Sequence, residues 1–228
     1  NGVDYVYHPR FNIQKTDSYK YLSDWEKKQL SDLYVDYFFK RQDGLWYQKA
    51  MEKLPMLLTA TDMLICGEDL GLVPECVPGV MDKLGITALK VQRSPKENVP
   101  YYDPQSASYM NVVTASSHDS STLRQWWKEN RELTQHYFNN QLKQFGTAPS
   151  ELLPELAEII MKQHLHSEAM LAIFPIQEYF ATDYEIVNPY ADDERINNPA
   201  VFPHYWRYRM HISLEELLEK ESFNQKIS

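Results

Sequence analysis

Two acidic clusters, Glu68-Asp69 and His118-Asp119, each follow a short β-prone run, and their residue types suit chemistry on a sugar. Met63-Leu64-Ile65-Cys66 leads into Gly67 and Glu68, and Asn111-Val112-Val113-Thr114-Ala115 leads into Ser116, Ser117, His118 and Asp119. Continuous runs of this kind read as strands buried on both faces, the pattern of parallel sheets. Parallel strands end on a common edge, and in barrels of alternating strands and helices that edge carries the reacting groups. Glu68 and Asp119 are therefore expected to converge in space. Cleaving a glycosidic bond with retention needs one carboxylate to attack carbon and a second carboxyl group to protonate the departing oxygen, then deprotonate the acceptor. A further ionised carboxylate that binds ring hydroxyls as positive charge develops favours the transition state over the ground state.

The elements that must position these groups alternate along the chain. Ser23 and Glu26 form a capping-box pattern, and Trp25, Leu30, Leu33, Tyr34, Tyr37 and Phe38 recur at helical spacing up to an expected stop at Gly44. A second helical run covers Leu45 to about Leu58, with Pro55 expected to kink or shorten it. A helix from Pro74 to Leu84 closes at Gly85, and Ile86 to Val91 reads as the next strand. Pro95, Pro100 and Pro104 make Arg93 to Ser108 a long ordered loop, in which Tyr101, Tyr102 and the nearby Tyr109 are either core or sugar-facing. A helix with Leu123, Trp126 and Trp127 follows Asp119, its tryptophans read as packing. Further helices run from roughly Glu132 to Phe145 and from Pro154 to Leu165, Met170 to Pro175 reads as a fourth buried strand, and Ser213 with Glu216 caps a last helix. The expected organisation is a helical lead-in over 1–60, strands and helices over 61–180, and a substrate-side loop with a terminal helix over 181–228.

Composition narrows the classes. With 228 residues and 43% hydrophobic content the chain can bury a sizeable core, which sets it apart from disordered sequences. A net charge of −9, with basic residues scattered rather than clustered, disfavours a nucleic-acid partner. Cys66 and Cys76 are the only cysteines, and Cys66 falls within an expected buried strand, so a reducing, cytoplasmic compartment fits better than a disulfide-stapled secreted one. No run approaches the roughly 20 apolar residues that span a bilayer, so no membrane partner is expected.

Less specific readings stand beside the chemical one. Glu68-Asp69 could be a charge pair at a helix N-terminus, and His118-Asp119-Ser120-Ser121 an N-cap cluster, a role compatible with catalysis. His164 and His166 alternate on a helix and face different sides, which argues against a shared metal. Asp192-Asp193-Glu194 reads most simply as a solvated turn. Rival functions are a non-catalytic carbohydrate-binding module, a purely structural helical module, and a hydrolase acting on the same sugar bond.

The chain resembles the C-terminal half of the 4-alpha-glucanotransferases, the amylomaltase or disproportionating-enzyme family, in the branch typified by the plant cytosolic enzyme. The matching stretches are Arg10-Phe11-Asn12, Leu54-Pro55-Met56-Leu57-Leu58, Met63 through Val80 with Gly67-Glu68-Asp69-Leu70-Gly71-Leu72-Val73-Pro74, Val91-Gln92-Arg93, His118-Asp119 with Ser121-Thr122-Leu123-Arg124, and His204-Tyr205-Trp206-Arg207-Tyr208-Arg209. The resemblance implies an α/β fold, about four strands of a (β/α)8 TIM barrel with additional helices and long βα loops. It implies that Glu68 is the general acid/base, Asp119 the transition-state-stabilising carboxylate, and His118 and Asp69 sugar-hydroxyl ligands. Arg195 and Asn197 match a substrate-facing loop, although Arg195-Ile196-Asn197-Asn198-Pro199 is followed by Ala200 where the family has glycine. The implied ligands are maltose, maltodextrin and other α-1,4-glucans, with no cofactor and no metal.

The family's nucleophile is an aspartate two positions after an arginine at a strand end. Arg41-Gln42-Asp43 has the spacing, but its helical surroundings predict a helix terminus instead. The resemblance thus implies a nucleophile before Asn1, and an isolated chain that is inactive alone and self-associates to cover open strand edges.

Overall fold

Capping and aromatic packing fix the helices, and a parallel ladder fixes the strands. The computed structural model describes residues 8–69, 71, 73–95, 98–203, 206 and 208–228. Leu70, Leu72, His204, Tyr205 and Arg207 of the stretches singled out above lie outside the described residues. The chain divides into two compact units, Asn1–Ile65 with Gly71–Ile86, and Cys66–Leu70 with Thr87–Ser228.

The first unit contains the helices α1 (Asp17–Lys20), α2 (Asp24–Asp36), α3 (Gln42–Thr59) and α4 (Cys76–Leu84). Helix α2 begins at the expected capping box: the Ser23 hydroxyl accepts from the Glu26 N–H, and the Glu26 carboxylate accepts from the Ser23 N–H at 2.8 Å. Gly44 does not end it. The chain passes through a π-helical turn, Tyr37–Arg41, directly into α3. The wider i, i+5 spacing of that turn sets Arg41 against Asp36 as an ion pair. It also accompanies the tilted packing of Tyr34 against Phe38, with ring centroids 4.8 Å apart and Phe11 edge-on to Phe38. Such packing outweighs the roughly 1 kcal/mol that a glycine costs inside a helix. Pro55 likewise lies within α3 without ending it.

The Arg41-Gln42-Asp43 triplet is therefore mid-helical rather than terminal, and Asp43 has a structural task. Its Oδ1 accepts from the Cys76 N–H at 2.9 Å, meeting one of the orphan donors at the start of α4. Burial, followed by this neighbouring carboxylate, pushes the Cys76 thiol up. The other end of α4 closes as the sequence predicts. Gly85 adopts φ +66°, its N–H binds the Asp82 carbonyl, and the Ile86 N–H binds the Met81 carbonyl at 2.9 Å, a Schellman arrangement.

The second unit is built on four parallel strands in the order β1 (Cys66–Gly67), β2 (Thr87–Val91), β3 (Asn111–Thr114) and β4 (Leu171–Ala172). Ala88 to Val91 pair with Asn111 to Thr114, Gly67 pairs with Ala88, and Val112 pairs with Leu171. Central β3 is buried throughout, as its apolar run predicts. The outer strands are shorter than their runs suggest. Met63 and Leu64 are exposed and outside β1, Cys66 is exposed rather than buried, and Ile173 is exposed beyond β4. A strand at the end of the order has one ladder partner among the described residues, so less of its run is fixed.

Helices α5 (Leu123–Glu129), α6 (Arg131–Asn140) and α7 (Pro154–Leu165) supply the main core, in which Trp127, Tyr137, Ala157 and Ile160 are almost fully enclosed. Helix α6 stops before the expected Phe145, which is exposed. Trp126 stands edge-on to Tyr137 at 5.0 Å, which confirms the tryptophans as packing residues. Tyr101 and Tyr102 are also buried, whereas Tyr109 is exposed. His164 is enclosed, its Nδ1–H donating to the Ile160 carbonyl at 2.8 Å, while His166 is exposed. A smaller cluster joins Phe180 of α8 (Ile176–Phe180) to Ile186 and to Phe223 of α10 (Glu221–Ile227), with Leu217 of α9 (Leu214–Leu218) against it. Helix α9 begins at the Ser213–Glu216 capping box expected from its sequence.

The Tyr137 hydroxyl donates to Gln92 Oε1 at 2.9 Å in full burial, where water cannot replace it. Tyr137→Phe is expected to lower the unfolding free energy by about 1–2 kcal/mol, read from the urea midpoint in dilute solution. A change below about 0.5 kcal/mol would show that this bond contributes little to the core.

Candidate active site

His118 and Asp119 owe their exposure to a tight turn. After β3 the chain runs buried through Ala115 and Ser116, then reverses between Ser117 and Ser120, where the Ser120 N–H binds the Ser117 carbonyl at 3.1 Å. The Ser120 hydroxyl also accepts from the Ser117 N–H at 2.9 Å, closing the turn from both sides. His118 and Asp119 are its two central residues, so their side chains project from the C-terminal edge of the sheet. The N-cap of α5 is Thr122, in a capping box with Gln125, and not the His118–Ser121 cluster.

A second segment folds over this turn. Asn197, itself buried, donates its backbone N–H to the His118 carbonyl at 3.0 Å and its side-chain amide to Asp119 Oδ1. The Arg195 guanidinium donates back to the Asn197 carbonyl at 2.9 Å, rigidifying the donor. Asp119 Oδ2 lies 3.4 Å from His118 Nε2, and the exposed Trp206 ring stacks at 4.8 Å from the His118 ring. Four of the residues singled out from the sequence, His118, Asp119, Arg195 and Asn197, are thus gathered in one place. The carboxylate is half-exposed and held in a set orientation beside an imidazole and an aromatic face. That arrangement suits hydroxyl binding and the stabilisation of developing positive charge.

Glu68 and Asp69 stand on the same edge, at the end of β1 and separated from β3 by β2, about 10 Å away in backbone terms at the usual strand spacing. Asp69 Oδ1 accepts from the Leu89 N–H at 3.2 Å, so its side chain continues the β1–β2 ladder where the backbone of β1 leaves it. Glu68, between this anchor and Gly67, is exposed. An open hollow lined by Tyr184, His211, Glu216 and Lys220 contains none of these groups.

The residues missed from the sequence are those that hold the turn. Asp192 and Asp193 are exposed as expected, but Glu194 is buried and accepts from the Thr122 hydroxyl at 2.9 Å and from the Arg124 guanidinium. Arg124 also donates to the Asn188 carbonyl at 2.7 Å, and the Gln177 amide donates to the Glu194 carbonyl at 2.9 Å. Arg93, just past β2, donates to the Ser121 carbonyl at 2.9 Å and pairs with Glu129 at 3.0 Å. Glu178, fully enclosed on α8, accepts from the Ser116 hydroxyl and from the Leu123 N–H at 3.1 Å. The available signal was charge in apolar company, since Glu178 lies between Phe174 and Phe180.

Burial raises the Glu178 carboxyl to about 7; the Ser116 and Leu123 hydrogen bonds and nearby Arg93 oppose the rise, and Glu194 adds to it. Burial also raises Glu194, against the pull of Arg124 and Thr122. A carboxyl raised from 4.5 to about 7 contributes stability that is complete below about pH 4.5 and lost as pH rises through about 7. Glu178→Gln removes this dependence. Its unfolding free energy relative to wild type is expected to climb by roughly 3 kcal/mol between pH 4.5 and 8, measured by urea unfolding at a series of pH values. Parallel pH profiles for the two proteins would contradict it.

Comparison with known proteins shows the family. Residues 10–215 match the glycoside hydrolase 77 family model, described as 4-alpha-glucanotransferase. The chain is 42% identical over 222 residues to the 4-alpha-glucanotransferase DPE2 of Oryza sativa subsp. japonica, covering 97% of this chain and 24% of that protein. It is 34% identical over 183 residues to the 4-alpha-glucanotransferase of Chlamydia caviae, covering 77% of this chain and 33% of that one. The chain thus spans about a quarter to a third of the length of the curated relatives it matches. Among solved structures, an amylomaltase from Streptococcus agalactiae in complex with acarbose superimposes with a TM-score of 0.56 at 16% identity, over 78% of this chain and 34% of that one. This likeness identifies the four parallel strands as part of the (β/α)8 barrel of the amylomaltases. The chain belongs to the 4-alpha-glucanotransferase family, glycoside hydrolase 77.

Proposed function

We propose that the full-length protein containing this chain is a 4-alpha-glucanotransferase. It moves a segment of a 1,4-alpha-glucan, with maltose or a maltodextrin as donor, to a glucan or glucose acceptor by retaining double displacement. The observation that carries this reading is the His118-Asp119 turn, gripped by Asn197 at the C-terminal edge of the sheet where Glu68 also stands. Glu68 is the general acid/base. Its exposed position beyond β1 suits proton exchange with a leaving or incoming sugar oxygen. Asp119 stabilises the transition state, because Asn197 presets its orientation before charge develops.

His118 and Arg195 are hydroxyl ligands beside it, and Asn197 both positions Asp119 and borders the sugar. Asp69 binds sugar from the next position to Glu68, while its bond to Leu89 fixes the direction in which that pair leaves the strand. The attacking carboxylate comes from another part of the full-length polypeptide. Asp43 does not fill this role, since it caps α4. The exposed Trp206 offers an apolar surface for a pyranose ring, which favours an acceptor sugar over water. The free thiols of Cys66 and Cys76 suit a reducing, cytoplasmic compartment.

In the full-length protein, Glu68→Gln is expected to lower transfer on maltotriose by about 10²–10⁴-fold while glucan binding persists. Product analysis of the unmodified protein on maltose is expected to give glucose together with longer chains. Unchanged transfer in Glu68→Gln would overturn the acid/base assignment, and glucose without longer chains would reassign the protein to hydrolysis.

The chain alone is expected to self-associate. The sheet ends at β1 and β4, each with one ladder partner among the described residues, and Ile173 is exposed beside β4. Light scattering is expected to report species larger than the 26.9 kDa monomer, and a clean monomer would refute this.

A further inference from the structure

The turn bearing His118 and Asp119 belongs to a longer segment, Ser116 to Leu123, whose two ends meet one side chain. The Ser116 hydroxyl and the Leu123 N–H both donate to Glu178 Oε1, and the Leu123 N–H also reaches Oε2 at 3.3 Å. Ser116 is where the chain leaves β3, and Leu123 is the first residue of α5. We propose that Glu178 is a positioning residue for Asp119: a buried carboxylate clip that holds both ends of the Ser116–Leu123 segment and so fixes where the turn presents its carboxylate. The inference rests on the assignment of Asp119 to the sugar site.

Three features support a clip over a catalytic group. Glu178 has no exposed surface, so it cannot touch a sugar. Its oxygens accept from two points seven residues apart in sequence, which removes end-to-end freedom from the segment between them. Asp119 lies near the middle of that segment, where displacement of either end moves it most. The clip also has support. Arg93 holds Ser121 from the β2 side, and Glu194 holds Thr122 while the residues after it bring Asn197 onto Asp119. The charged groups acting on Glu178 are Arg93, which favours its ionised form, and Glu194, which opposes it. An ionised carboxylate is the stronger acceptor, so the two bonds of the clip strengthen when Glu178 ionises, although its burial opposes that ionisation.

The test compares wild type, Glu178→Gln, Glu178→Ala and Ser116→Ala in the full-length protein. It reads kcat and KM for maltotriose transfer against pH, and hydrogen exchange of the Ser116–Leu123 backbone. Glu178→Ala is expected to lower kcat about 30-fold or more with KM within about 3-fold, because a carboxylate misplaced by about 1 Å loses its hold on the transition state before substrate binding suffers. The same variant is expected to speed exchange in the segment about 10-fold or more. Glu178→Gln, whose amide oxygen can accept from both donors, is expected to keep kcat within about 3-fold and to lack the rising inflection near pH 7 expected of wild type.

A folded Glu178→Ala with wild-type kcat and exchange would overturn the proposal, as would Glu178→Gln losing as much as Glu178→Ala. If Glu178→Ala does not fold, Ser116→Ala decides. Removing one donor is expected to cost about 5-fold in kcat and to speed exchange, and wild-type values would overturn the clip. If the wild-type protein transfers no glucan, the proposed function fails by itself. The exchange readout then judges the clip alone, and unchanged protection in Glu178→Ala and Ser116→Ala rejects it.

Discussion

A carboxylate removed from water must find hydrogen-bond donors inside the protein, and two such groups, Glu178 and Glu194, organise the surroundings of the candidate site. An ionised carboxylate left alone in an apolar interior would cost several kcal/mol, so each of these groups draws in whatever donors the chain can supply. Glu178 draws in Ser116 and the first amide of α5. Glu194 draws in Thr122 and Arg124. These donors flank the His118-Asp119 turn on both sides, so satisfying the buried charges also fixes the turn. The exposure of His118 and Asp119 at its tip is the outward result of an interior requirement.

This arrangement divides the work between stiffness and access. The central strand β3 and the start of α5 are enclosed, whereas the turn between them leaves Asp119 half-exposed. Asn197 reaches across from a segment that Glu194 anchors, giving Asp119 a donor without closing it off. On the β1 side the anchoring is of another kind, since Asp69 substitutes a side chain for a missing strand residue and Glu68 is left outside. The chain belongs to the 4-alpha-glucanotransferase family and spans about a quarter to a third of the length of the curated relatives it matches.

Local physics was legible in the sequence. The Ser23 and Ser213 capping boxes, the Gly85 stop and the buried run of β3 depend on near neighbours, and each forms where its pattern lies. The features that were not legible depend on distant partners. Gly44 carried a stop signal, yet the helix runs on through a π turn accompanied by aromatic packing. Met63 to Cys66 looked like a buried strand, but β1, with one ladder partner among the described residues, holds only Cys66 and Gly67 in the sheet. Glu194 looked solvated beside Asp192 and Asp193, and only its bonds to residues some seventy positions earlier reveal a buried anchor. His118, Asp119, Arg195 and Asn197 were named from the sequence; the clip beneath them was not.

The most direct test of the account reads the Glu178 carboxyl itself. In the chain labelled with carbon-13 at the glutamate side-chain carboxyl, nuclear magnetic resonance followed against pH is predicted to show one resonance with its midpoint near 7, absent from Glu178→Gln. A spectrum in which every glutamate titrates below about pH 5 would contradict it, for then burial does not outweigh the donors around Glu178.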